Sequence, residues 1–141
     1  MPQTLTPGDG QDLFASFKRA WERRDPEAML ELYREDAEYR VDPFMPPMVG
    51  ANAIREHWNR LAAEQIAVEI DAERVWVSGH TVLASWHAAY TREATAERMR
   101  VRAFSTMELD EAGRILLMRD WSLQQRVGTD RGHEPTEGRG E

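Results

Sequence analysis

Two carboxylates stand in apolar company. Asp42 lies in Val41-Asp42-Pro43-Phe44-Met45, and Asp120 in Leu117-Met118-Arg119-Asp120-Trp121. An aspartate before proline commonly caps a turn, whereas the same acid in a dry pocket has its proton affinity raised by burial. Both uses are open for Asp42 from this stretch alone, and for Asp120 a structural ion pair stands beside a functional role. If the two share one cavity, their surroundings can hold them in opposite protonation states, so that one accepts a proton while the other gives one. Other chemistries are thinly represented. The chain has no cysteine, which removes thiol nucleophiles and thiolate metal sites. His57 and His87 show neither HxH nor HExxH spacing, so no metal is expected, and no cofactor is expected either.

Acids so far apart in sequence need a scaffold to bring them together. Leu13, Phe14, Phe17, Ala20 and Trp21 recur at helical spacing over residues 11–24. Asp25-Pro26 then supplies a cap and a first-turn proline for a second helix to about residue 34. A short extended segment over 37–42, the proline pair at 46 and 47, and a third helix over 51–64 with Ile54, Trp58 and Leu61 on its buried stripe follow. Beyond residue 65 the period falls to two, and four strands are expected over 66–77, 80–92, 96–109 and 114–125, joined as a meander. The fold class is α+β: a cone-shaped, curved antiparallel sheet wrapped around three N-terminal helices.

Strand parity predicts the cavity wall. If Asp120 points inward, so do Leu116, Met118 and Ser122, with Val101, Ala103, Ser105 and Met107 on the preceding strand and Val82, Ala84, Trp86 and Ala88 on the one before. Phe17, Trp58, Trp86, Ser105 and Met118 are thus the expected ligand-binding residues, and Asp42 and Asp120 the expected catalytic pair. Such walls suit a small hydrophobic molecule, although aromatic stripes of this kind are also ordinary core. On the opposite face Phe104, Leu117, Trp121 and Leu123 make an apolar patch that a lone monomer would leave wet, so a homodimer is expected.

The 141 residues suffice for one domain with its own core. Residues 1–10 read as a flexible lead, 11–126 as the domain and 127–141 as a disordered tail. A net charge of −7 argues against nucleic acid, and no apolar run approaches membrane-spanning length. Neither basic nor apolar signal blocks open the chain, so a cytoplasmic location is expected.

Three segments carry a family resemblance: Tyr33-Arg34-Glu35-Asp36-Ala37-Glu38-Tyr39-Arg40-Val41-Asp42-Pro43, Gly50-Ala51-Asn52-Ala53-Ile54-Arg55-Glu56, and Ile115-Leu116-Leu117-Met118-Arg119-Asp120-Trp121. Over about residues 11–125 the chain resembles the nuclear transport factor two-like superfamily, in its SnoaL-like and ketosteroid-isomerase-like branch. That resemblance implies the cystatin-like roll and, at Asp42-Pro43, the general base of the isomerases. The tyrosine and protonated aspartate that hold the enolate in those enzymes are replaced here by Phe17 and Ser105. Losing one such donor costs about 2.7–4 kcal/mol of transition-state stabilisation, so efficient ketosteroid isomerase activity is not expected. A branch resembling limonene epoxide hydrolases places an aspartate at Asp120, but Trp86 and Ala88 stand where its Arg and Asp would be. Two functions follow as expectations: an isomerase-, cyclase- or dehydratase-type enzyme with Asp42 as base, or a non-catalytic ligand-binding or dimerisation module.

Overall fold

Thr6 decides where the chain becomes helical. In the computed structural model, which describes residues 4–129, the Thr6 hydroxyl accepts from the Asp9 amide at 3.1 Å, and the Asp9 carboxylate accepts from the Thr6 amide at 2.8 Å. This reciprocal cap, with proline at the first helical position, starts helix α1 at Pro7–Glu22. Residues 7–10 of the expected flexible lead are therefore helical. Gly10 in that turn lies tight against the sheet, since a Cβ there would meet Val77 Cγ2 at 2.8 Å.

Helix α2 (Pro26–Leu30) is capped by Asp25, whose carboxylate accepts from the Ala28 amide at 3.1 Å. It ends earlier than expected, and strand β1 (Tyr33–Arg40) takes over four residues before the predicted segment and stops before Val41 and Asp42. Tertiary pairing overrides the helical spacing here: Tyr33 lies opposite Ile115, and Tyr33, Ala37 and Tyr39 are buried. A two-residue strand, β2 (Met48–Val49), precedes α3 (Ala51–Glu64).

The long strands β3 (Gln65–Ser78), β4 (Thr81–Arg92), β5 (Glu97–Leu109) and β6 (Ile115–Thr129) form the expected antiparallel meander. The sheet order is β2-β1-β6-β5-β4-β3, and β1 runs parallel to β6, so the sheet is mixed and largely antiparallel. Residues 127–129, assigned above to the tail, extend β6 because Arg98 and Glu97 pair with Gly128 and Thr129; residues 130–141 lie outside the described residues.

Parity holds along β4 and β5, where Val82, Ala84, Trp86, Ala88, Val101, Ser105 and Met107 are buried and His87, Arg100 and Arg102 exposed. It slips on β6, where the pairing with β5 shifts register between Arg98 and Met99 and again between Glu108 and Leu109. The second shift lets Ile115 fill the core while Leu116 is only half-buried. The helices cover the inner face, and Lys18 ties α1 to β3 through Glu22 at 2.8 Å, the Ile70 carbonyl at 2.7 Å and Asp71 at 3.1 Å. On the outer face the acidic row of β3 meets the basic row of β5 across β4, with Arg98–Glu69 at 3.4 Å and Arg102–Glu73 at 2.7 Å. Such exposed pairs contribute at most about 1 kcal/mol each. Among the described residues no helix is long and apolar enough to cross a membrane.

Candidate functional site

Asp120 reaches the inner face because β6 alternates, and it meets Tyr39 because β1 lies beside β6 with Tyr39 opposite Met118. The Tyr39 hydroxyl donates to Asp120 Oδ2 at 2.5 Å, and the Ser105 hydroxyl, on the neighbouring β5, donates to Oδ1 at 2.6 Å. Ser105 in turn accepts from Trp86 Nε1 at 2.9 Å. Four strands thus supply one connected polar chain inside an otherwise apolar interior.

Burial pushes the Asp120 carboxyl up to about 6, against the opposing hydrogen bonds from Ser105 and Tyr39, which favour the ionised form. The Tyr39 hydroxyl is held well above its usual range, first by burial and then by the Asp120 charge, so it remains a donor. Tyr33 is raised for the same two reasons and donates to Met118 Sδ at 3.3 Å.

A cavity of about 320 Å³ opens onto this acid. Phe17 and Trp21 of α1, His57 and Trp58 of α3, and Trp86 and Tyr90 of β4 wall it, with Tyr39, Asp42, Asp120 and Gln124 among the polar lining. The indoles and Phe17 pack edge to face, Phe17–Trp58 at 5.6 Å, Trp21–Trp58 at 5.6 Å and Trp21–Trp86 at 5.5 Å. This fixes the wall without filling it. A second hollow of about 510 Å³ adjoins the cavity and shares Leu61, Gln65, Tyr90 and Gln124 with it, and Tyr90 donates to Gln124 Oε1 at 2.7 Å along that boundary.

The expected site residues divide into two groups. Phe17, Trp58, Trp86, Asp42 and Asp120 all line the one cavity. Ser105 and Met118 stand behind its wall, fully buried and not among the lining residues: Ser105 is engaged by Trp86 and Asp120, and Met118 receives the Tyr33 hydroxyl. Asp42 takes the first of its two sequence-level uses: it caps a turn, and its side chain is exposed rather than buried in a dry pocket. Its Oδ1 accepts from the Phe44 amide at 2.9 Å and its carbonyl from the Met45 amide at 3.1 Å, a turn cap, while the exposed side chain sits on the cavity lining.

Tyr39 and His57 belong to the site without having been singled out for it. Tyr39 follows Ala37 by two residues, so correct placement of β1 would have turned it inward. His57 has Arg60 one helical turn on, and Arg60 Nη2 lies 3.2 Å from His57 Nδ1. Burial, then the Arg60 charge, lowers His57 to about 4, so it is neutral at physiological pH. Among the described residues no group of three or more histidines and carboxylates converges as metal ligands.

Comparison with known proteins places this geometry in context. Residues 14–118 match the family model described as SnoaL-like domain. No curated protein matches the chain. Among solved structures, the epoxide hydrolase/cyclase-like enzyme SalBIII of pyran ring formation in the polyether salinomycin is 20% identical, with a TM-score of 0.75 over 86% of this chain and 96% of that one. A hypothetical protein with a ketosteroid isomerase-like fold from Catenulispora acidiphila, in complex with trimethylamine, is 16% identical, with a TM-score of 0.70 over 78% and 84%. An LEH-like epoxide hydrolase of M. tuberculosis is 19% identical, with a TM-score of 0.68 over 81% and 82%. At these identities the likeness is one of fold.

Proposed function

The chain belongs to the SnoaL-like domain family, with the ketosteroid-isomerase-like fold of the nuclear transport factor two-like superfamily, and from that premise we propose that it is an acid–base enzyme of the isomerase, cyclase or dehydratase type acting on a small hydrophobic molecule. One observation carries the reading: Asp120 is buried, raised to about 6, and open to an aromatic cavity of about 320 Å³. A carboxyl in that range is ionised enough near neutrality to accept a proton and acidic enough to return it. As carboxylate, Asp120 takes a proton from a carbon or hydroxyl of the bound molecule; as carboxylic acid, it delivers that proton to a second atom. Tyr39 and Ser105 keep the carboxylate oriented between the two steps.

Asp42 sits at the mouth, where its turn-capping bond to Phe44 orients it, and serves as a second acidic group of the site. Ring formation and epoxide hydrolysis, the activities named for two similarly folded proteins, are reactions that a proton-transferring carboxyl supports. Steroid isomerisation is disfavoured, because Phe17 brings no hydroxyl to the cavity and Ser105 is already committed to Trp86 and Asp120.

The assembly in this proposal is a homodimer joined through the outer sheet face. Trp121 is 42% and Leu123 80% exposed there, and Phe104 bridges Trp76 and Trp121 at ring distances of 6.2 and 6.4 Å. The same patch favours a second reading, a dimerisation module without turnover, if the cavity proves inert.

Proton transfer can be read without knowing the natural substrate. In D2O, deuterium incorporation beside the carbonyl of 2-tetralone and cyclohex-3-enone, followed by NMR, is expected to exceed the buffer rate with the unaltered protein. Asp120→Asn should abolish the excess, and Asp42→Asn should retain most of it. Exchange at the buffer rate with both ketones, or an equal loss in both variants, would overturn the assignment.

A further inference from the structure

We propose that His57 is a fixed neutral hydrogen-bond donor of the Asp120 cavity, its Nε2–H held for an oxygen acceptor, so that the bound molecule is a neutral compound carrying a carbonyl or ether oxygen on an apolar frame. This rests on the acid–base reading for its catalytic meaning and on independent geometry for the donor itself.

The tautomer follows from the partner. A guanidinium has donors and no acceptor, so the Nδ1 atom that faces Arg60 Nη2 at 3.2 Å must offer its lone pair. A neutral imidazole carries a single proton, which is then on Nε2. Ionisation is opposed by burial and by the Arg60 charge. The ring is held edge-on between two aromatics, Tyr39 at 5.4 Å and 89° and Trp58 at 5.1 Å and 76°, so the donor has a set direction.

Nε2 makes no hydrogen bond among the described residues, and His57 lines the cavity. It is also not one of the fully enclosed polar atoms left without a partner, a class to which Trp58 Nε1 belongs. Nε2 is therefore not fully enclosed, and the cavity is the space that the His57 side chain lines. A molecule that fills the cavity without an oxygen leaves this donor desolvated and unpaired, whereas one with an acceptor satisfies it. The neighbouring Arg60 adds a charge that disfavours a cationic ligand on this side.

Against Asp120 the donor has a defined part. When the Asp120 carboxylate removes a proton from a carbon beside a carbonyl, the C–H bond breaks, its electron pair forms the C=C bond of the enolate, and the C=O π pair moves to the carbonyl oxygen. The His57 Nε2–H donates to that oxygen as its charge grows, and the proton rests on Asp120 until it is returned to carbon.

Long-range 15N–1H spectra of the histidine rings test this on the unaltered protein, with His57 assigned from its loss in His57→Gln. The expected result is a neutral Nε2–H tautomer at pH 6 and above, and movement of its signals with cyclohexanone but not with methylcyclohexane, which fits the same space without an acceptor. His57→Gln and His57→Phe both keep bulk at the site, and the Phe variant should lose about three- to tenfold of the preference for cyclohexanone, the range of one neutral hydrogen bond. An Nδ1–H tautomer, an imidazolium at pH 6, or equal responses to both probes would overturn the proposal. The same spectra in Asp120→Asn separate it from the acid–base reading: a persistent cyclohexanone response without deuterium exchange in the unaltered protein sinks only the latter.

Discussion

Changing pH should move the stability of this protein through Asp120 and His57 in opposite directions. Asp120 rises from 3.8 to about 6 on folding; between those values the folded chain binds more protons than the unfolded one, so raising the pH removes stability. At 1.36 kcal/mol per tenfold change in proton affinity, this costs about 3 kcal/mol, complete above pH 6. His57 falls from 6.5 to about 4, so the unfolded chain binds the extra proton, and raising the pH restores about 3 kcal/mol, complete above pH 6.5. The two nearly cancel in the unaltered protein. Asp120→Asn removes one side of the balance, and its mismatched bonds to Tyr39 and Ser105 add an offset that does not vary with pH. Urea unfolding at intervals from pH 4.5 to 7.5 should show the variant gaining on the unaltered protein by about 2–3 kcal/mol as pH rises. His57→Gln should show the reverse. A difference independent of pH, or an Asp120→Asn variant that loses ground to the unaltered protein as pH rises, would refute the burial of an ionisable Asp120.

Further outcomes follow from individual contacts. Tyr39→Phe removes a hydrogen bond to the Asp120 carboxylate, worth about 1.5–3 kcal/mol to a charged partner, and should lift the Asp120 titration above 6, read by carboxyl NMR. Gly10→Ala gains at most about 1 kcal/mol of helix propensity. Its Cβ would meet the branched Val77 side chain at 2.8 Å, and overpacking of that kind costs about 1–3 kcal/mol, so a net fall in thermal stability is expected. Trp121→Glu places a charge in the exposed aromatic row of the outer sheet face; in sedimentation experiments the unaltered protein is expected to be a dimer and the variant a monomer.

Period-two alternation made most of the sheet legible, because burial on one face leaves no freedom of register: Trp86, Ser105 and Asp120 fall on the inner face as their parity requires. β1 was harder. Tyr33 sits at helical spacing from Met29 and Leu30, and only its parallel pairing with Ile115, contacts more than eighty positions away, commits it to the sheet. Within the expected segment over 37–42, the parity that turns Asp42 inward turns Tyr39 outward, and this concealed the residue that completes the site. The cap at Thr6 was written in local sequence as Thr-x-x-Asp, yet apolar periodicity does not register it. Asp42 was legible as a turn residue, and the fold uses it so; its side chain is exposed at the cavity lining and not enclosed in a dry pocket. Ser105 and Met118 illustrate what parity omits: an inward side chain can be consumed by a neighbour before it reaches the cavity.

Titration of the Asp120 side-chain carboxyl carbon by NMR reads whether this acid is a proton-exchanging group of the aromatic cavity. With 13C-labelled protein, assigned by Asp120→Asn, a midpoint near 6 is expected, together with a response of the same signal to cyclohexanone. A midpoint near 4, with no response to the ketone, would instead make Asp120 an ordinary carboxylate with no part in proton transfer.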